Sequence, residues 1–162
     1  MAYNLERLNV LLVEDDQAMR ALVRDILFAF HIQNVATATD GSRAYAELRH
    51  FPADFVITDW SMDPLDGIEF TKMVRTAADS PNPFVPIIML TAHTQRQRIM
   101  EARDCGVTEF LAKPVTANSL YTRIVGIIED PRPFVRTSSY FGPDRRRVSR
   151  EFMGNDRRAN SE

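Results

Sequence analysis

"NVLLVEDDQAMRALVRDILFAF", residues 9–30, sets an apolar run against three acids and then a periodic stretch. Val10, Leu11, Leu12 and Val13 are apolar without a break, the pattern of a strand buried on both faces. After the acids, the apolar residues fall at Met19, Leu22, Val23, Ile26, Leu27 and Phe30, spacings of three and four that mark one face of a helix. Glu14, Asp15 and Asp16 therefore lie where a strand ends and a helix is about to begin.

The same unit recurs along the chain. Strand-like runs follow at "NVATAT" (34–39), "DFVIT" (54–58), "PIIMLT" (86–91) and "EFLA" (109–112), with amphipathic stretches near 42–50, 67–77, 95–104 and 117–129. Five βα units joined by short connections require a parallel sheet covered by helices on both faces. The predicted class is α/β: a doubly wound five-stranded parallel sheet with five helices, the flavodoxin-like arrangement, over residues 1–130. Right-handed crossovers place the ligand crevice of such a fold at the carboxyl ends of the strands.

Composition agrees with one domain and an appendage, since 162 residues carry 44% hydrophobic and 26% charged side chains. No apolar run reaches the roughly 18 residues of a membrane span, and the N-terminus lacks the basic and apolar regions of a signal peptide. A cytoplasmic protein without membrane insertion is expected. Cys105 is the only cysteine, which excludes an intrachain disulfide and a thiolate metal cluster.

The predicted strand ends carry Glu14, Asp15 and Asp16 after the first run, Asp59 after the third, Thr91 at the fourth and Lys113 after the fifth. Carboxylates brought together repel unless a cation joins them, and an all-oxygen set suits Mg²⁺. Carboxylates, a hydroxyl and a lysine around a divalent ion make a phosphoryl site, in which one Asp attacks phosphorus while the cations neutralise its oxygens. No glycine-rich phosphate cradle precedes a helix, so the phosphoryl group is expected from another molecule.

Four segments in order, "VLLVEDD", "VITDWSMDPLDG", "IIMLTA" and "FLAKP", resemble the receiver domain of two-component response regulators, the CheY-like family, across residues 7–130. The resemblance implies that Asp59 is the phosphoacceptor, served by a histidine kinase or phosphotransfer protein. It implies that Glu14, Asp15, Asp59 and the Ser61 backbone carbonyl bind Mg²⁺. It further implies that Thr91 and Lys113 engage the phosphoryl oxygens, that Phe110 is the switch aromatic and that the Lys113–Pro114 peptide bond is cis. Such a domain is a phosphoacceptor, forming and losing its own acyl phosphate, rather than an enzyme with a separate substrate. Its reporting surface is the fourth helix, fifth strand and fifth helix. Asp63 stands where the family has proline, an additional acid near the metal. Trp60 is read as a partly buried neighbour of the site, and His93 as a surface residue at its mouth. The competing reading is a docking module that works without phosphorylation, or a phosphate-shuttle receiver whose basic tail contacts a protein or nucleic acid.

Residues 131–162 form a separate extension. The first 130 residues hold 12 Lys and Arg against 18 acids, a balance of -6, while the extension holds 8 Arg against 4 acids, a balance of +4. Pro131 and Pro133 end the last helix. The remainder has too few apolar residues for a core, so a largely disordered tail is expected. With no output domain in the chain, a stand-alone regulator is expected to act by protein contact or through this tail.

Within it, "FGPDRRRVSREFMGNDRRA" (141–159) repeats Gly-x-Asp-Arg-Arg from Gly142 and from Gly154. Arginine forks onto guanine O6 and N7 and stacks on its face, while a carboxylate accepts from guanine donors. Because ordering ten residues costs roughly 10–20 kcal/mol, the ligand must offer several such faces at once. The extension resembles that of CheY-like cyclic di-GMP effectors that act on the flagellar motor. Tyr140, Asp144, Arg145, Arg146, Arg147, Arg150, Asp156, Arg157 and Arg158 are then the candidate contacts. A protein partner or non-specific nucleic acid remains the alternative, with DNA the least favoured.

Overall fold

The computed structural model describes residues 3–92, 98–138 and 140–144, apart from the side chain of Glu101. Five parallel strands, β1 (Asn9–Val13), β2 (Asn34–Ala38), β3 (Phe55–Asp59), β4 (Ile87–Thr91) and β5 (Glu109–Ala112), lie in the order β2-β1-β3-β4-β5. Between and after them run α1 (Gln17–Ala29), α2 (Gly41–Leu48), α3 (Gly67–Thr76), α4 (Ile99–Asp104) and α5 (Ala117–Glu129). This is the doubly wound fold expected from the apolar runs.

Alternation along the strands sorts the core into layers. Val10 and Leu12 of β1, with Phe55, Ile57, Ile88 and Leu90, face Val23 and Leu27 of α1 and Leu120 and Ile124 of α5. Leu11 and Val13, with Val56 and Ile87, face Ala44, Tyr45 and Leu48 of α2 and Phe70 and Val74 of α3. Met89 joins Trp60, Ile68, Ala102, Cys105 and Val107 in a third cluster under α4. Complete burial of each such Leu, Ile or Phe contributes roughly 1.5–3 kcal/mol, which favours this register over one slipped by a residue.

Helix starts are fixed by side chains that accept orphan amides. Asp16 accepts from Ala18 and Met19 at the start of α1, and Asp40 from Ser42 and Arg43 at α2. Asp66 with Glu69 and Thr116 with Ser119 close reciprocal capping boxes at α3 and α5. Gly67 is required at its position: a Cβ there would lie 2.3 Å from the Asp59 carbonyl oxygen.

One part of the extension departs from expectation. Residues 131–138 and 140–144 carry an antiparallel ribbon, β6 (Phe134–Arg136) and β7 (Phe141–Pro143), laid against the receiver. Composition concealed this because the apolar surface that holds the ribbon belongs to the receiver. Aromatic contacts join Phe134 and Phe141 to Phe84, far away in sequence.

Candidate functional site

Parallel register assembles the site. Val13 pairs with Thr58, so the next residues, Glu14 and Asp59, emerge side by side at the carboxyl edge. Asp59 pairs with Leu90 and Thr91 with Ala112, which places Thr91 and Lys113 at the same edge, one strand and two strands away.

The carboxylates of Glu14, Asp15 and Asp59 each present an oxygen within 4.8 Å of the others. Glu14 is 1% exposed. Its Oε1 accepts from the Asp16 amide at 3.1 Å, while Oε2 is buried and has no hydrogen-bond partner among the described residues. Burial first, and then the adjacent Asp59 charge, push its carboxyl up to about 8. A buried carboxylate oxygen lacking a donor, facing two further carboxylates, is an arrangement that a hard cation relieves, and an all-oxygen set fits Mg²⁺. Asp59 Oδ1 accepts from the Trp60 amide at 2.8 Å and pairs with Lys113 Nζ at 3.0 Å. Both donors fall on Oδ1, so Oδ2 is uncommitted to either.

The surroundings hold this geometry. The Trp60 carbonyl accepts from the Gly67 amide at 2.9 Å, anchoring the loop after Asp59 to the start of α3. Arg20 Nη1 reaches the Glu14 carbonyl at 2.8 Å from α1. Thr91 is buried, and its carbonyl accepts from the Lys113 amide at 2.8 Å. The Lys113–Pro114 bond is cis as expected, and Asp63–Pro64 is cis as well. Phe110 packs, half-buried, against the cluster that contains Trp60 and Met89.

Other candidates take different places. Asp16 is the cap of α1 rather than a member of the carboxylate group. Asp63 is exposed and also stands outside that group. Trp60 is 1% exposed, more enclosed than its sequence context implied, with the Arg98 guanidinium 5.1 Å from its ring. Ser61 is exposed two residues beyond Asp59. Tyr140 is buried, and its hydroxyl donates to the Pro143 carbonyl at 2.7 Å, a contact inside the ribbon. Asp144 ends the ribbon, its amide donating to the Pro133 carbonyl. His93, Arg145, Arg146, Arg147, Arg150, Asp156, Arg157 and Arg158 lie outside the described residues.

The family model of the response regulator receiver domain matches residues 10–125, which span every strand and carboxylate of this site. The chain belongs to that family. This receiver is 35% identical to chemotaxis protein CheY-3 of Vibrio cholerae over 124 residues, 76% of this chain and 94% of that protein. It is likewise 35% identical to chemotaxis protein CheY of Pseudomonas aeruginosa over 122 residues, 75% of this chain and 97% of that one. Among solved structures, Vibrio cholerae CheY4 superposes with a TM-score of 0.66 at 33% identity, covering 73% of this chain and 96% of that one. The receiver domain of a sensor histidine kinase from Pseudomonas aeruginosa, with magnesium coordinated in its cleft, gives 0.64 at 28% identity over 74% and 94%. The match thus covers the receiver and stops short of the extension.

Proposed function

We propose that this receiver accepts a phosphoryl group on Asp59 from the phosphohistidine of a kinase or phosphotransfer protein and passes the signal on by protein contact. The observation that carries this is the Asp59 carboxylate, with Oδ1 held by an amide and an ammonium beside two further carboxylates. The P–N bond of the donor breaks as a P–O bond forms to Asp59, and the histidine nitrogen keeps the electron pair. Glu14, Asp15, Asp59 and the Ser61 carbonyl would hold Mg²⁺, which supplies positive charge against the phosphoryl oxygens. Lys113 is already paired with Asp59 and follows the new charge, while Thr91 donates its hydroxyl to a phosphoryl oxygen. The acyl phosphate adds up to about two negative charges, and its effect on Lys113 and Thr91 repositions the α4-β5-α5 face.

That face is the proposed target surface, and the resemblance to chemotaxis proteins makes a component of the flagellar motor the proposed target. The arginine-rich extension is the proposed site for cyclic di-GMP, through Asp144 and the two Asp-Arg-Arg units. The setting is cytoplasmic in this reading, in keeping with the lack of a membrane-length apolar helix among the described residues.

Calorimetry with cyclic di-GMP, on the full chain and on Arg145→Ala/Arg146→Ala/Arg157→Ala/Arg158→Ala, tests the second input. Binding by the parent with at least a tenfold loss in the variant is expected. Equal binding by both removes the ligand from the tail. For the first input, Asp59→Asn is expected to abolish phosphorylation-dependent partner binding. Unchanged partner affinity in both variants would instead identify a docking module that needs neither signal.

A further inference from the structure

The ribbon closes on the end of the sheet opposite the carboxylates, and its anchor is a buried cation. Arg75, near the end of α3, is 3% exposed. Its Nε donates to the Gly106 carbonyl at 3.0 Å, and its Nη1 to the carbonyls of Pro83 at 2.9 Å and Val85 at 2.7 Å. Nη2 reaches Thr108 Oγ1 at 3.4 Å, and the Phe134 ring of the ribbon lies 5.0 Å from the guanidinium carbon. A buried charge is tolerated only when its donors are met, and here carbonyl oxygens and a ring face meet them. Burial lowers the Arg75 pKa to about 10, so the group stays charged at neutral pH.

Three further contacts set the ribbon in place. Phe84, 56% exposed, meets Phe134 and Phe141 edge to face at 5.2 and 5.5 Å. Gly142 lies so close to the receiver that a Cβ would sit 3.0 Å from the Gly106 Cα, and within the ribbon the same Cβ would sit 2.6 Å from Tyr140 Oη. At the other side, Arg132 and Arg123 both pair with Glu109, the first residue of β5, at 3.2 and 3.6 Å.

These contacts fall on the two segments that enter β4 and β5: Pro83, Phe84 and Val85 before β4, and Gly106, Thr108 and Glu109 at the start of β5. Thr108 ties the second of these to β4, its amide donating to the Ile87 carbonyl at 2.9 Å and its hydroxyl oxygen accepting from the Ile87 amide at 3.0 Å. Phe110 lies on β5, about 7 Å from Thr108, and Lys113 follows its far end, about 16 Å away at the rise of an extended chain. We infer that the ribbon of β6 and β7 is a clamp that holds β5 through Arg75 and the Gly106–Thr108 turn, so that events at the extension and at Asp59 act on one strand from its two ends. The coupling half of this inference rests on Asp59 being the phosphoacceptor; the clamp itself does not. The clamp holds β5 in its unphosphorylated position, so releasing it lowers the cost of the shift in β5 that follows when Lys113 tracks the phosphoryl charge. By linkage, phosphorylation in turn loosens the clamp.

The test uses the full chain, with Gly142→Val to lift β7 and Phe134→Ala to uncover Arg75 without adding bulk. Amide exchange at Gly106 and Thr108 should quicken roughly tenfold in both variants, while the amides of Val23 and Leu27 in α1 keep their rates. Beryllofluoride with Mg²⁺, followed by Trp60 fluorescence, should bind about fivefold more tightly, at the low end of allosteric couplings. Unchanged exchange at Gly106 and Thr108 in both variants overturns the clamp. Faster exchange with unchanged or weaker beryllofluoride affinity overturns the coupling. Failure of the parent itself to bind beryllofluoride refutes the phosphoacceptor reading and the coupling with it, leaving the clamp to be judged by exchange alone.

Discussion

Replacing Glu14 with glutamine should make the metal-free protein more stable, although it deletes a residue of the proposed site. The Glu14 carboxyl, held up to about 8 by burial and by Asp59, binds a proton in the folded state that it has lost in the unfolded chain between its ordinary value of 4.5 and 8. Its contribution to stability is therefore fully present below about pH 4.5 and declines as pH rises through about 8. At roughly 1.36 kcal/mol per pH unit across that window, the ionisable carboxyl leaves the parent about 3 kcal/mol less stable at pH 7 than a permanently neutral equivalent. Glutamine keeps the size and the neutrality, so Glu14→Gln should gain about 3 kcal/mol at pH 7 in EDTA, with no gain near pH 4.5. Mg²⁺ should reverse the order: at 1,000 times the dissociation constant it stabilises the parent by about 4.1 kcal/mol, and the variant lacks a ligand. Urea denaturation from pH 5 to 8.5, with EDTA and with Mg²⁺, measures both effects. A variant that is less stable than the parent in EDTA at pH 7, or whose stability follows pH as steeply, would refute the picture of a carboxylate cluster awaiting a cation.

Three further outcomes follow from the same geometry. Gly67→Ala, whose Cβ would lie 2.3 Å from the Asp59 carbonyl, should cost about 1–3 kcal/mol and weaken beryllofluoride binding, read by thermal denaturation and Trp60 fluorescence. Asp66→Ala removes the reciprocal cap of α3 and should cost about 1 kcal/mol while leaving Mg²⁺ affinity within about twofold. Lys113→Met removes the ammonium 3.0 Å from Asp59, so beryllofluoride should no longer shift the NMR resonances of Phe110, and shifts of parental size would show that another group carries the signal.

Much of the receiver was legible because its signals are local. Every strand-like run became a strand with ends within a residue or so of the apolar boundary, and the acids after "NVLLV" and "DFVIT" had to emerge together once the sheet was parallel. The three adjacent acids were harder to separate. Glu14 points inward and Asp15 joins it, while Asp16 is spent on the amides of α1, a division that only the chain path decides. The ribbon was illegible for a different reason. Arg75 occupies a last-turn position where an arginine ordinarily serves the helix dipole in solvent, and nothing in its neighbourhood announces burial. Its partners at Pro83, Val85, Gly106 and Phe134 are contributed by separate segments. In the sequence Gly142 is one element of a repeat, and the close approach to Gly106 that requires it appears only in three dimensions.

The central claim is that Asp59 takes a phosphoryl group with the help of the neighbouring acids. Incubation of the full chain with a small-molecule phosphodonor and Mg²⁺, followed by intact mass and peptide mapping under conditions that preserve acyl phosphates, tests it directly. One phosphoryl group on the peptide containing Asp59, lost with EDTA and absent from Asp59→Asn, is the predicted result. An unmodified Asp59 peptide under conditions that phosphorylate a known receiver, or equal modification of Asp59→Asn, would contradict it.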